Sequence, residues 1–231
     1  MLSIDIMSKM STNNFKLAIS DYKYLLNRGY PEKASLKLVG DRYRLDRTAR
    51  NCLFRGVVKD ELVKVRRAKL VSAKDVKKSS LGIDWYNVLI TVESYLKGNL
   101  LFVSEDGILR DSAGVHGSYR KNEITERAIK IISQALSYLA PSKIDIFLDS
   151  PISHSGEMGT YIKRKLEEKN LKNITVEVIK SADYPLKTYH GIVATSDSVI
   201  MDNAPQIFDL PRYALRREFN YLAPRLRNLE I

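Results

Sequence analysis

The sequence predicts an α/β protein in which an all-helical N-terminal module precedes a three-layer domain with a mostly parallel sheet. Three observations lead to this prediction. Apolar segments with helical spacing, bounded by glycine or proline, fill the first third of the chain. After residue 79, short apolar segments that end in aspartate alternate with helical segments, which is typical of parallel strands joined by crossover helices. The basic residues are also unevenly distributed between the two parts.

Three helices are predicted in the N-terminal module, at residues 12–28, 31–40 and 46–56. The second is expected to end at Gly40, because glycine readily terminates a helix. Helix, short turn and helix together outline a helix-turn-helix. A phosphate-binding surface is predicted on the last of these helices and the turn before it, formed by Arg42, Arg44, Arg47 and Arg50. A plain packing module with a basic rim is the alternative.

The net charge of +11 comes from the N-terminal third. Residues 1–78 contain 19 Lys or Arg and 8 Asp or Glu, whereas residues 79–231 contain 19 of each kind. Such asymmetry indicates that the basic part binds a polyanion, most often nucleic acid, although a solvated basic surface would have the same composition. Because the basic run ends in Lys-Lys-Ser-Ser, we place a linker there. The predicted division is a nucleic-acid-binding module at 1–78 and an α/β domain at 79–231.

The remaining composition restricts the chemistry. Of the 231 residues, 44% are hydrophobic, and no apolar run approaches the roughly 18 residues of a membrane helix. A single cysteine, Cys52, excludes an internal disulfide framework and a thiolate zinc site. Since the chain has only three histidines, a bound metal would be held mainly by oxygen. We expect a cytoplasmic protein without a membrane partner, and leave its oligomeric state open, a homodimer included.

The α/β domain is predicted to begin with a strand ending at Asp84 and a helix that follows directly. Residues 100–110 predict a hairpin, in whose turn Asp106 is expected to have no role in the site. A helix at 122–139, strands at 144–149 and 174–179, and further helices complete the pattern. Neither a Walker loop nor a dinucleotide-binding glycine motif is present, so a nucleotide-hydrolysing motor or a dehydrogenase is not expected.

Carboxylates follow several of the predicted strands. Asp84, Asp149 and Asp197 each end an apolar segment, and Asp183 follows the strand at 174–179. Neighbouring parallel strands lie roughly 5 Å apart, so these side chains are expected to converge at the edge of the sheet where α/β ligands bind. Clustered carboxylates repel one another without a counter-ion, and Mg²⁺ or Mn²⁺ prefers oxygen ligands. We therefore predict a metal site; helix capping is the alternative for each aspartate.

Four short motifs, in order, resemble those of PIN and NYN-type nuclease domains. Similar to the family's motifs are Asp84-Trp85-Tyr86-Asn87, Phe147-Leu148-Asp149-Ser150, Ser181-Ala182-Asp183 and Val193-Ala194-Thr195-Ser196-Asp197. Trp85 replaces a glycine of that pattern, and its ring is expected to narrow the cleft. The resemblance covers residues 80–210 and implies a PIN-like three-layer fold. It also implies Mg²⁺- or Mn²⁺-dependent cleavage of RNA, with catalytic and metal-binding roles for Asp84, Asp149, Asp183 and Asp197.

The whole chain also resembles a prokaryotic domain-of-unknown-function family in which a basic helical module precedes such a domain. The leading hypothesis is a PIN-like, metal-dependent endoribonuclease, with RNA as a more expected partner than DNA and with Arg110 or His116 in contact with substrate. A non-catalytic nucleic-acid-binding regulator, with the PIN-like domain as scaffold, is the alternative. A third hypothesis is a phosphate-ligand enzyme that uses the polar loop at 153–156.

Overall fold

The computed structural model of the protein describes residues 13–113, 122–150 and 155–226. Within them the chain forms two compact units that are discontinuous in sequence. The first is drawn from residues 13–68, 97–113 and 223–226, and the second from residues 69–96, 122–150 and 155–222. This division differs from a linear one at residue 78, because a segment from the middle of the chain and one near its end join the N-terminal unit.

The N-terminal unit contains the predicted helices and one more. They are α1 (Asn13–Asn27), α2 (Glu32–Arg42), α3 (Arg47–Gly56) and α4 (Asp60–Ala68). The cap of α3 is Asp46, whose Oδ1 accepts a hydrogen bond from the Ala49 amide at 2.8 Å. The apolar faces of the first three helices form one buried core, which includes Phe15, Ile19, Tyr22, Leu26, Val39 and Leu53.

The prediction that Gly40 ends the second helix is wrong. Helix α2 continues to Arg42, and the chain turns at Arg44, which has a φ of +50°. A Cβ atom at residue 40 would overlap with the guanidinium of Arg50. The glycine is therefore explained by the close approach of a side chain from α3.

The predicted hairpin is confirmed, but it belongs to the N-terminal unit. Its strands β2 (Leu101–Val103) and β3 (Leu109–Asp111) are antiparallel. Phe102 lies in the same core as the helices, together with Leu226 from the end of the chain. The hairpin thus completes the core of the basic unit.

Buried ion pairs attach the hairpin to the helices of this unit. Asp106 is fully buried and pairs with Nη1 of Arg66 at 3.0 Å and Nη2 of Arg110 at 2.9 Å. Asp111 pairs with Nη1 of Arg55 at 2.8 Å. Because only 4% of Arg110 is exposed, its side chain is held inside the unit, which argues against the expected contact with substrate. The other residue expected there, His116, lies outside the described residues.

The second unit is a mixed α/β structure around a five-stranded sheet. Its elements are α5 (Ala73–Val76), β1 (Ser80–Asp84), α6 (Trp85–Leu96), α7 (Glu123–Leu139), β4 (Lys143–Asp149), α8 (Ser155–Glu167), β5 (Ile174–Ile179), α9 (Asp183–Lys187), β6 (Ile192–Ala194), α10 (Ser198–Asn203), β7 (Gln206–Ile207) and α11 (Leu210–Phe219). The strand order is β5-β4-β1-β6-β7, and all four neighbouring pairs are parallel. The predicted parallel sheet is therefore confirmed.

Strand β1 lies at the centre of this sheet. It pairs with β4 on one side, where Asp84 is opposite Phe147, and with β6 on the other, where Ile83 is opposite Ala194. The chain moves outward from β1 through β4 to β5 and then returns to the far side of β1. The strand order thus reverses at β1, and such a reversal opens a crevice at the carboxyl ends of the strands.

The helices of this unit form two groups. Helices α6, α7, α8 and α11 contact one another, and α6 and α8 also contact strands of the sheet. Helix α9 contacts α10 and β1, and a Cβ atom at residue 82 would lie only 3.1 Å from the side chain of Leu186. Among the described residues, no helix is both long enough and apolar enough to cross a membrane.

Candidate active site at the carboxyl edge of the sheet

All four predicted aspartates end or follow strands of this sheet, and three of them belong to the adjacent strands at its centre. Asp84 ends the central strand β1, Asp149 ends β4, and Asp197 follows β6 by three residues. Because β4 and β6 flank β1, the two outer carboxylates lie on either side of the central one. Their charges both raise the pKa of Asp84, as expected of neighbouring carboxylates.

Asp84 is the most deeply buried of the three, with 7% of the residue exposed. Its Oδ2 accepts a hydrogen bond from Oγ1 of Thr195 at 2.8 Å. The backbone amide of Asn87 also donates to this carboxylate, so that Asp84 caps α6 as well. The capping alternative is therefore correct for Asp84, and also for Asp197, which is the N-cap of α10; a carboxylate that caps a helix can still bind a ligand.

The environment of Asp84 raises its pKa from 3.8 to about 7. Burial is the largest cause, since it disfavours the charged form, and the negative charges of Asp149 and Asp197 act in the same direction. The hydrogen bonds from Thr195 and from the Asn87 amide oppose this shift but do not cancel it. The site thus contains a carboxyl group that changes protonation near neutral pH.

Two hydrogen-bonded side chains hold the loop after β6 against the end of β1. The Thr195 hydroxyl donates to Asp84 and accepts from the Asp197 amide at 3.0 Å. Oδ1 of Asn87 accepts from both the amide and the hydroxyl of Ser196 at 2.8 Å each. Thr195, Ser196 and Asn87 were part of the sequence motifs, but no role had been predicted for them. Their polar side chains next to strand-end aspartates were the available signal.

Asp149 and Asp197 are each oriented through one oxygen atom. Oδ1 of Asp149 accepts from the Ala182 amide at 2.9 Å, and Oδ1 of Asp197 accepts from two amides at the start of α10. In the part of the chain that the structure describes, Oδ2 of each carboxylate has no hydrogen-bond donor and can accept a ligand. Each of these two carboxylates is therefore held in place through one oxygen atom, and its other oxygen atom can bind a ligand.

Tyr86 and Ser155 connect the start of α8 to the end of β4. The Tyr86 hydroxyl lies 2.9 Å from Oγ of Ser155, which donates to the carbonyl oxygen of Asp149 at 2.8 Å. These contacts fix the N-terminus of α8 beside the second carboxylate. The preceding residues, 153 and 154, for which a phosphate-binding loop was predicted, lie outside the described residues.

Asp183 differs from the other three aspartates. It is the first residue of α9, as its motif predicts, but its Oδ2 lies 3.4 Å from Nζ of Lys187, one turn further along the helix. About half of its side chain is exposed. Asp183 therefore pairs with its own helix and contributes less to the buried centre than the resemblance implies.

A metal centre with four direct aspartate ligands is not preformed. Within residues 13–113, 122–150 and 155–226, no group of three or more His, Cys, Asp or Glu side chains could hold a metal ion. The donor set nevertheless fits Mg²⁺, which commonly binds one or two carboxylates and keeps water or phosphate oxygens as its other ligands. Asp84 with Oδ2 of Asp149 or Asp197 would supply that smaller number.

Trp85 does not narrow an open cleft, contrary to the expectation. It is the first residue of α6, and none of it is exposed to solvent. The ring is therefore part of the core of the α/β unit, whereas the neighbouring Asp84 accepts a hydrogen bond from Thr195.

The four arginines predicted to bind nucleic acid have different environments within the N-terminal unit. Arg50 donates from Nε to the Leu45 carbonyl and from Nη2 to Asp41, both at 2.9 Å, so it holds the turn between α2 and α3. Arg42 lies over the ring of Tyr43 and its Nε is 3.8 Å from Oδ2 of Asp21, with most of its side chain exposed. Arg44 and Arg47 are exposed. Three of the four remain candidates for a phosphate-binding surface, and Arg50 is used internally.

The raised pKa of Asp84 leads to a prediction about how the stability of the fold depends on pH. A folded-state pKa of about 7, against an ordinary value of 3.8, means that between these pH values the folded state keeps a proton that the unfolded state has lost. The free energy of unfolding therefore falls as pH rises from about 4 to 7. In EDTA, the melting temperature of wild type should fall between about pH 4 and pH 7 by more than that of Asp84→Asn. Equal pH dependence of the two proteins would show that Asp84 is not perturbed.

The fold and this edge define an α/β protein with a carboxylate-lined parallel sheet and an attached basic helical unit. The chain belongs to the DUF5616 family, described as a domain of unknown function, whose model matches residues 73–213. A second family model, described as a protein of unknown function (DUF434), matches residues 14–69. Between the two matched segments lie only residues 70–72, between α4 and α5.

A relative from an archaeon supports the same assignment. An uncharacterised protein of Methanocaldococcus jannaschii is 35% identical over 195 residues, which cover 84% of this chain and 92% of that protein. No solved structure matches the chain. The predicted membership of a prokaryotic family of unknown function is therefore confirmed.

Proposed function

We propose that the α/β unit is a PIN-like, metal-dependent ribonuclease that hydrolyses phosphodiester bonds at the carboxyl edge of its sheet. The observation that supports this proposal most strongly is the strand order, which brings the ends of β4, β1 and β6 together at Asp84, Asp149 and Asp197. A buried carboxyl group with a pKa near 7, beside two further carboxylates, is the kind of perturbed group that marks a functional site.

Each residue has a defined part in the proposed reaction. A bound Mg²⁺ or Mn²⁺ would activate water and neutralise charge on the phosphate. Asp84 would hold the ion, with Thr195 fixing the direction of its carboxylate. Asp149 and Asp197 would supply Oδ2, because their Oδ1 atoms accept backbone hydrogen bonds. Asp183, which can exchange its Lys187 partner for a ligand, would act at the periphery.

The N-terminal unit would bring nucleic acid to this protein. Most of it comes from residues 1–78, which contain 19 Lys or Arg against 8 Asp or Glu, and Arg42, Arg44 and Arg47 are exposed. Contacts of this kind neutralise phosphates without reading sequence, so binding should weaken as salt concentration rises.

A non-catalytic nucleic-acid-binding regulator is the second candidate. One observation favours it: the described residues contain no preformed group of three metal ligands. In that case the sheet would serve as a scaffold, and the basic N-terminal unit would provide the activity of the protein.

Metal-induced stabilisation distinguishes the two candidates without knowledge of the substrate. An ion that binds only the folded state stabilises it by about 2.7 kcal/mol at a hundredfold excess over Kd. We expect Mn²⁺ to raise the melting temperature of wild type and of Glu167→Gln, an exposed carboxylate of α8, by similar amounts. Asp84→Asn should respond much less. An identical response of all three proteins would show that Asp84 does not bind the ion, and would favour the non-catalytic regulator.

A further inference from the structure

A groove between helices α7 and α8 lies apart from the carboxylates of the sheet edge. It encloses a cavity of about 650 Å³. The residues that characterise it are Arg127, Lys130, Tyr161, Lys165, Glu168 and Lys169. A cavity of this volume is within the range of sites that bind small organic ligands.

The charges of the groove favour an anion. Four cationic side chains line it against two carboxylates, Glu126 and Glu168. Glu168 is already paired, with Nζ of Lys165 at 2.8 Å. Within the described residues, Lys130 and Lys169 have no carboxylate within ion-pair distance. The charge of Lys130 is therefore available to a ligand, whereas Lys169 also helps to lower the pKa of Glu168.

The two helices present these groups in a repeated arrangement. Arg127 and Lys130 are three residues apart on α7, and Tyr161 and Lys165 are four apart on α8, so each pair shares one helix face. Nζ of Lys165 lies 5.7 Å and the Arg164 guanidinium 5.4 Å from the centroid of the Tyr161 ring, so a base would stack on a ring that already has cationic neighbours. An aromatic ring among cations is the combination with which proteins bind single-stranded nucleic acid, because bases stack on the ring and cations neutralise the backbone.

The α7 side of the groove lies toward the proposed active site, whereas Lys165 and Lys169, near the end of α8, lie toward the opposite edge of the sheet. Three residues connect the end of α7 at Leu139 to the start of β4 at Lys143, so this end of α7 lies at the amino edge of the sheet. The opposite end of α7 is therefore directed toward the carboxyl edge. Arg127 is near that end, one turn into the helix.

We propose that the groove between α7 and α8 binds single-stranded RNA, with Lys130, Lys169 and Arg127 contacting phosphates and Tyr161 stacking on a base. The role of this strand as a substrate rests on the proposed nuclease function. The binding itself does not, because it involves none of the carboxylates of the sheet edge.

The first test measures the affinity of the full chain for a fluorescein-labelled oligouridylate by fluorescence anisotropy in EDTA. The double variant Lys130→Gln/Lys169→Gln should bind about tenfold more weakly, and the slope of log affinity against log salt should fall by about 1.4, since each phosphate contact on a single strand contributes about 0.7. The matched control is Lys163→Gln/Lys172→Gln, which removes two exposed lysines outside the groove and should bind as wild type. Equal weakening of both double variants, or wild-type affinity of the first, would overturn the proposal.

The second test concerns the aromatic ring. Tyr161→Phe should retain affinity for the oligouridylate, whereas Tyr161→Leu should lose about tenfold, because stacking requires the ring and not the hydroxyl. Affinity for inorganic polyphosphate, which has no bases, should be the same in both variants. If Tyr161→Leu binds the oligouridylate as tightly as Tyr161→Phe, the proposed stacking is wrong.

The proposed RNA-binding groove and the proposed nuclease function can be contradicted independently of each other. RNA cleavage that requires Asp84, together with groove variants that bind RNA normally, would overturn the groove and retain the nuclease. A chain that cleaves no RNA, but whose groove variants lose affinity, would retain the groove as an RNA-binding surface and overturn the nuclease.

Discussion

Asp84→Asn is expected to abolish metal-dependent cleavage of RNA, with a loss of about three orders of magnitude in kcat. The amide has no negative charge with which to hold an ion, and a bound ion contributes several kcal/mol to transition-state stabilisation, where each 1.36 kcal/mol is tenfold in rate. The variant should fold, because its side-chain oxygen can still accept hydrogen bonds from Thr195 and the Asn87 amide. The measurement is the rate of cleavage of labelled RNA in Mn²⁺ and in EDTA.

The other aspartates give a graded series for the same assay. Asp149→Asn and Asp197→Asn should also lose most activity, since both carboxylates flank Asp84 at the sheet edge. Asp183→Asn should lose less, because this side chain pairs with Lys187. Glu167→Gln serves as the control that keeps full activity. Cleavage that persists in Asp84→Asn or in EDTA would contradict the proposed metal-dependent site.

The position of three aspartates at the ends of strands was largely predictable from local sequence. A buried strand in a parallel sheet is a short apolar run, and Asp84, Asp149 and Asp197 each follow one. The order of the strands was not predictable from that pattern, and only the order makes these three side chains neighbours. The ion pair of Asp183 had a signal, since Lys187 follows at the spacing that joins side chains on one helix face.

The errors came from contacts between residues that are distant in sequence. Glycine commonly ends helices, but at residue 40 it is favoured because a side chain there would overlap with the guanidinium of Arg50 in the next helix. The hairpin was predicted from its turn, whereas its place in the N-terminal unit depends on Phe102 packing in the same core as Leu226. Local patterns specify the type of an element better than they specify what it packs against.

Charged residues in the hairpin show the same limitation. Asp106 has the sequence context of an exposed turn residue, and its burial depends on arginines from β3 and α4. Burial alone would raise the pKa of Asp106, but Arg110, Ser104 and Arg66 together lower it below the ordinary value. The carboxylate is therefore charged at neutral pH, and the stability that it contributes should be lost only as pH falls through its lowered pKa.

Asp106→Asn is accordingly expected to destabilise the N-terminal unit by about 3–5 kcal/mol, the usual cost of removing one partner from a buried ion pair. The amide would leave the guanidinium groups of Arg66 and Arg110 buried without their carboxylate. Urea denaturation measures this change. The control is Asp41→Asn, whose partners Lys37 and Arg50 pair with an exposed carboxylate, so it should destabilise much less than Asp106→Asn.

A double-mutant cycle identifies the cause of that loss. If Asp106 acts through Arg110, then Arg110→Met should lower the free energy of unfolding less in the Asp106→Asn background than in wild type. In that background the Arg110 guanidinium has already lost the Asp106 carboxylate with which it pairs. Additive costs would mean that the two side chains are not coupled. In that case the destabilisation would come from the bonds of Asp106 to Ser104 and Arg66, which fix the hairpin turn and attach it to α4.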